Sequence, residues 1–268
     1  MLLVLFVLLV FADCVSNAVI FRWEQHPETL EELMLDQRTL VEGDIYLPSQ
    51  HFRDIRTARK VTTDRMSLKK DRNAVGETWP TTDIPYEISP EVENRTSDIL
   101  VAMETVSKHT CITFHKRGAE PDYVLFKIGN GCASYVGYIG GGQGLFVAPP
   151  CSSGNIIHEL LHTIGFQHEH TRSDRDQFIE IVQDNILPGM EKNFIKLNGK
   201  TFGIPYDYTS IMHYGRNFFS SNGKATIIPK KDDVHGMGQR KKLMDSDIKK
   251  VQLLYHCDSL EPKGTMDN

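Results

Sequence analysis

The spacing of apolar residues changes along the chain, and each change marks an element. Over 96–108, Ile99, Leu100, Met103 and Val106 recur at helical spacing and predict one buried helical face. The same period returns over 154–165 and 188–197, and over 245–256, where Ile248, Val251, Leu254 and Tyr255 share a face. Between the first two helices the period shortens. "CITFHKR" and "DYVLFKIG" are rich in β-branched and aromatic residues and predict strands. "GYIGGGQGLFVAPPC" then predicts a glycine-rich turn, a short apolar strand and a Pro-Pro stop.

The N-terminal part has a different texture. "MLLVLFVLLVFADCVSNA" is an apolar run leading into small residues, too short to span a bilayer and fit for a cleaved signal over 1–18. Residues 19–72 begin with a helical-looking stretch over 28–40 and pass through "VEGDIYLP". They end in "RDIRTARKVTTDRMSLKKDR", which has few large apolar residues and many basic sites for trypsin-like cleavage. Such a composition buries little core and predicts a processed pro-segment. The compact domain is placed at 73–260, with a short tail at 261–268.

Composition narrows the class. With 268 residues, 40% hydrophobic and 24% charged, the chain fits a globular protein; a net charge of −5 gives no electrostatic basis for binding nucleic acid or an anionic membrane. Cys14 falls in the signal, leaving Cys111, Cys132, Cys151 and Cys257, an even set that suits an oxidising compartment. Four cysteines allow three pairings, and spacing does not choose among them. Asn94-Arg95-Thr96 is a glycosylation sequon. Secretion is the expected destination.

The candidate chemistry lies in "HELLHTIGFQHEHTRSDRD" (158–176). His158 and His162 are i and i+4, so both imidazoles leave one face of a helix. Glu159 lies beside them, placed to act on a metal-bound water as general base without ligating. Gly165 lets the chain leave the helix, so that His168 can return as a third ligand. Three neutral nitrogens with an open position describe a catalytic zinc site, whereas a structural site is closed by four protein ligands. His109, His115, His170, His213, His235 and His256 are read as surface or packing residues.

Far away in sequence, "SIMHYG" (210–215) predicts a tight turn carrying Met212 and Tyr214. The long His motif together with this Met-turn resembles the astacin metalloendopeptidases, a metzincin family, and is similar to their fish hatching-enzyme-like members. The resemblance covers nearly all of 73–260. "NAVGETWPTTDIPYEIS" lacks the further cysteine pair common near the mature N-terminus of hatching enzymes.

That resemblance implies an α+β, two-lobed zincin-like domain with a twisted mixed sheet, an active-site helix and a Met-turn, preceded by a short pro-segment. It implies one zinc ion per chain on His158, His162 and His168, and an oxyanion-stabilising Tyr214 that also visits the metal. Asp44 of "VEGD" would block the zinc in a zymogen, with Val41 where the family has Phe. Cleavage after Arg72 by a trypsin-like protease would make Asn73 a new N-terminus, latched by Glu169. Cys111 would pair with Cys257 and Cys132 with Cys151. A strand over 143–148 would be the cleft edge that receives protein substrates in extended form, and an Arg–Asp pair of "RSDRD" would support the third-ligand loop. The function implied is a secreted zinc metalloendopeptidase acting as a monomer. The competing reading is a catalytically silent zinc-containing binding protein of the same fold; Glu159 and Tyr214, both present, speak against it.

Overall fold

The computed structural model describes residues 40–47 and 77–260. The readings for the signal at 1–18, for Arg72 and Asn73, for most of 19–72 and for the tail at 261–268 lie outside these residues.

A seven-stranded mixed sheet carries one half of the domain. Its strands are β1 (Leu40–Val41), β2 (Ile45–Tyr46), β3 (Asp83–Ile88), β4 (Thr113–Lys116), β5 (Tyr123–Lys127), β6 (Ala133–Tyr135) and β7 (Gly142–Phe146). They lie in the order β1-β2-β6-β7-β5-β3-β4. Pairing is parallel except at β1–β2 and β6–β7. Period-2 alternation in β5 buries Val124 and Phe126 and leaves Tyr123, Leu125 and Lys127 half-buried, as a sheet with one covered face requires.

Helices α1 (Thr96–His109) and α2 (Ser153–Thr163) cover that face. Ile99, Met103 and Val106 of α1 pack with Ile156, Leu160 and Leu161 of α2 and with Ile84, Val124, Phe126 and Leu145 of the sheet. Leu100, predicted on the buried face, sits at its rim and is 43% exposed. A third helix, α3 (Asp245–Leu254), closes the same core with Val251.

The second half is irregular and builds a smaller cluster from Ile179, Ile186, Phe194, Tyr206, Tyr214 and Ile227. Its only regular pairing among the described residues is the ribbon of β8 (Ile179–Ile181) and β9 (Ile227–Pro229). Disulfides join Cys111 to Cys257 and Cys132 to Cys151. Among the described residues no helix is long and apolar enough to cross a membrane.

Two expectations are corrected. The helix predicted over 188–197 is only a 3-10 turn at Glu191–Phe194. Pro188 and Gly189, the latter at φ +89°, break the start. Phe194 is buried while Ile195 is 58% exposed, so the apolar residues do not share a helical face. The strand over 143–148 is not the cleft edge: β7 is flanked by β5 and β6. The chain folds back through the Cys132–Cys151 loop as antiparallel β6, and β6 is the strand whose outer edge takes β2.

Candidate active site

Helix α2 is fixed at both ends, which orients its histidines. Ser152 caps it: the Asn155 N–H donates to Ser152 Oγ and the Ser152 N–H donates to Asn155 Oδ1. At the other end Gly165 takes φ +112°, and its N–H returns to the His162 carbonyl at 2.8 Å. The chain then turns back and presents His168 to the helix face that holds His158 and His162.

Each of these imidazoles has its Nδ1 against an acceptor. His158 Nδ1 donates to the Ile211 carbonyl at 2.7 Å and His162 Nδ1 to the Phe166 carbonyl at 2.6 Å. His168 Nδ1 donates to Glu42 Oε2 at 2.6 Å. Acceptors on all three Nδ1 atoms assign the hydrogen there and leave Nε2 as the ligating nitrogen. The Nε2 atoms converge: His162 to His158 at 3.1 Å and His158 to His168 at 3.2 Å. Asp44 Oδ2 lies 3.2 Å from His158 Nε2 and 3.1 Å from His168 Nε2.

Lone pairs that close repel unless a cation lies between them, and separations of roughly 3.3 Å are expected around a tetrahedral ion with ~2.0–2.1 Å bonds. The donors of Asp44, His158, His162 and His168 all lie within 4.8 Å of one another. Three imidazoles and a carboxylate are a donor set for zinc, so the cluster can hold a zinc ion. Burial disfavours a charged imidazole, yet Asp44 and Glu42 hold His168 up at about 9. The other two imidazoles go the other way: burial and Arg240 take His158 down to about 4, and burial and His168 hold His162 well below its ordinary value. Burial also works against the charge of Asp44, but His168 and His158 hold its carboxyl well below the usual range.

Glu159 follows His158 on α2 and is 2% exposed. Its Oε2 has no hydrogen-bond partner, and burial, reinforced by Asp44, pushes its carboxyl well above the ordinary range. Arg240, half-buried in a segment that reads as an ordinary basic run, opposes that shift and donates to the His213 carbonyl at 3.1 Å.

The Met-turn supports the cluster from the other side. The Ile211 carbonyl that holds His158 belongs to it, and the Met212 carbonyl accepts from the Glu169 N–H at 2.9 Å. Met212 itself is buried in the larger core. Asp247 of α3 ties the turn down, accepting from Ser210 Oγ at 2.5 Å and from the Ile211 N–H at 3.0 Å. The Tyr214 ring lies 4.6 Å from His168 and stacks on His170 at 3.7 Å, centroid to centroid. Its hydroxyl donates to the Glu42 carbonyl. His170 and His213 are packing residues: His170 reaches the Asn193 carbonyl, and His213 bridges the Tyr206 hydroxyl and the Tyr214 carbonyl.

Glu169 is 3% exposed, but its carboxylate is already paired. Arg172 Nη1 donates to Oε1 at 2.9 Å, and Lys250 of α3 donates to Oε2. Two cations therefore already meet this buried carboxylate. Arg172 also chelates Asp174 and reaches the Ile204 carbonyl, while Arg175 holds the His170 carbonyl. The buried Arg of the "RSDRD" run thus braces the third-ligand loop, with Glu169 as its more buried partner. Asn94 is exposed on the turn preceding α1.

Spacing alone did not reveal Glu42, Lys250 or Arg240. Glu42 precedes Gly-Asp like any acidic turn residue, and Lys250 reads as the solvated neighbour of Val251.

Residues 71–256 match the family model described as Astacin (Peptidase family M12A). The zinc metalloproteinase nas-14 of Caenorhabditis elegans is 45% identical over 188 residues, 67% of this chain and 37% of that protein. The astacin-like metalloprotease toxin 1 of Loxosceles intermedia is 38% identical over 242 residues, 87% of this chain and 86% of the other. Among solved structures, the hatching enzyme zinc-protease high choriolytic enzyme 1 of Oryzias latipes superposes with a TM-score of 0.64 at 36% identity, covering 74% of this chain and all of that one. The chain spans much less than two thirds of the first of these relatives.

Proposed function

This chain belongs to the astacin family, peptidase family M12A, and from that premise we propose that it is a secreted zinc endopeptidase, made as a zymogen, that hydrolyses internal bonds of extracellular proteins. The observation that carries the reading is the convergence of three Nε2 atoms beside a buried carboxylate oxygen without a partner. His158, His162 and His168 hold the zinc. When bound there, zinc supplies Lewis acidity, polarising a carbonyl and acidifying water towards neutral pH.

The rest falls to the chain. Glu159 takes the proton of the attacking water as the C–O bond forms, then hands it to the departing nitrogen as the C–N bond breaks. Its buried Oε2, without a hydrogen-bond partner, is free to accept that proton. The Tyr214 hydroxyl, released from the Glu42 carbonyl, donates to the oxyanion. An extended substrate segment takes the outer edge of β6, where β2 now sits.

Residues 40–47 fill that cleft in the described chain, which supports latency. β2 adds to β6, and Asp44 occupies the position facing the three histidines. Activation is cleavage after Arg72 by a trypsin-like protease, with the ammonium of Asn73 joining Glu169. The uncut protein should be inert; limited trypsin treatment should yield a chain starting at Asn73 that cuts an unfolded protein substrate, with loss on chelation and recovery on adding zinc. A correctly cut, zinc-loaded chain that leaves all protein substrates intact would favour the silent binding protein.

A further inference from the structure

We propose that Glu42 is a positioning residue for the zinc ligand His168, so that the segment covering the cleft also tightens the metal beneath it. The three ligands differ in how their outer nitrogens are held. His158 and His162 lean on the carbonyls of Ile211 and Phe166, which belong to the catalytic domain and stay with it. His168 alone leans on a side chain from residues 40–47, and that partner is a carboxylate. A carboxylate on the far nitrogen fixes an imidazole's tautomer and ring orientation and makes it a stronger donor to the metal.

The backbone around Glu42 is arranged to aim that side chain. Its N–H donates to Asn193 Oδ1 at 2.9 Å, and its carbonyl accepts from the Tyr214 hydroxyl. Glu42 adopts φ +51° and Gly43 φ +78°, left-handed conformations that cost more at Glu than at Gly. A side chain at Gly43 would be strained at that φ, and its Cβ would lie 2.6 Å from Phe219 Cζ, so the ring would have to shift. This tight turn sends two successive acidic side chains to one place: Asp44 to the ligating face of the histidines and Glu42 to the outer edge of His168. A turn selected only to block the metal needs Asp44 and not Glu42. Glu42 is 7% exposed, so its charge is held away from water and is spent on His168.

Two consequences follow. In the uncut chain the zinc is held by Asp44 directly and by Glu42 through His168. If activation removes residues 40–47, as the zymogen reading above requires, His168 loses its carboxylate and the zinc of the cut enzyme is held more loosely.

The experiment measures zinc affinity of the uncut chain by competition with a chromophoric chelator, for wild type, Glu42→Gln and Glu42→Ala, each first shown to be folded by its thermal transition. Glu42→Ala should bind zinc on the order of 10–100-fold more weakly. Glu42→Gln should fall between, since an amide oxygen still accepts from Nδ1 without the charge. In the zinc-loaded protein, one downfield imidazole Nδ1–H resonance should shift in Glu42→Gln while those of the other two ligands stay. If Glu42→Ala does not fold, the near-isosteric Gln variant carries both measurements. Wild-type affinity together with an unchanged resonance overturns the proposal. So does a cut chain that binds zinc as tightly as the uncut one. Latency is read separately by assaying the uncut wild-type chain for proteolysis, so the zymogen reading can fail while the affinity result stands.

Discussion

Gly154, in the first turn of α2, shows how little room the site leaves at single residues. A Cβ there would sit 1.7 Å from the Arg240 carbonyl oxygen and 2.5 Å from its carbon. That obstacle is backbone, which cannot swing aside, so α2 must retreat and carry His158 and His162 with it. Gly154→Ala should destabilise the domain by about 1–3 kcal/mol, read as a lower urea midpoint at unchanged slope; an unchanged midpoint would contradict the packing. At this scale the sequence was most informative where spacing maps onto geometry. His158, His162, Glu159 and Gly165 were legible because a helix fixes where i, i+1 and i+4 point, and because positive φ favours glycine. Glu42 was not legible, because its partner His168 lies 126 residues away and no local pattern records a contact of that range. Glu169 was legible only through resemblance, because Lys250, which meets its carboxylate, lies 81 residues away.

Among elements, α3 does more than close the core. Asp247 anchors the Met-turn, and one turn further on Lys250 reaches Glu169, so one short helix supports both the turn that orients His158 and the loop that carries His168. Lys250→Met removes one of the two cations on a buried carboxylate and should cost the uncut chain about 3 kcal/mol. If the new N-terminus joins Glu169 after cleavage, the same substitution should cost the cut enzyme distinctly less, because an ammonium again faces that carboxylate. Equal penalties in both forms, measured by denaturant titration, would remove Glu169 from the latch. Helices α1, α2 and α3 were legible from their 3.6-residue period. The turn at Glu191–Phe194 was not, since Phe194 and Ile195 look alike in a sequence and differ only in which side of the chain meets a core. Strand order was hidden for a related reason: "GQGLF" reads as a strand whether its neighbours number one or two.

For the whole molecule, residues 40–47 and the catalytic domain form one continuous sheet with one shared cluster at its edge. Asp44 contributes a carboxylate where catalysis needs an open position, and β2 occupies the edge where a substrate strand would lie. Asp44→Ala should therefore give an uncut chain that cleaves protein slowly, because β2 and Glu42 still cover the cleft. Full latency in this variant would show that strand occupancy alone silences the enzyme.

Glu159 as general base is the proposal on which the hydrolytic function rests. The measurement is protein hydrolysis by chains cut after Arg72, comparing wild type with Glu159→Gln while zinc content is determined in the same samples. Both should hold one zinc per chain, and only the wild type should cleave, with the variant reduced by at least about 100-fold, as expected for loss of a general base. Equal cleavage by both, or equal inertness of both with zinc in place, would contradict it.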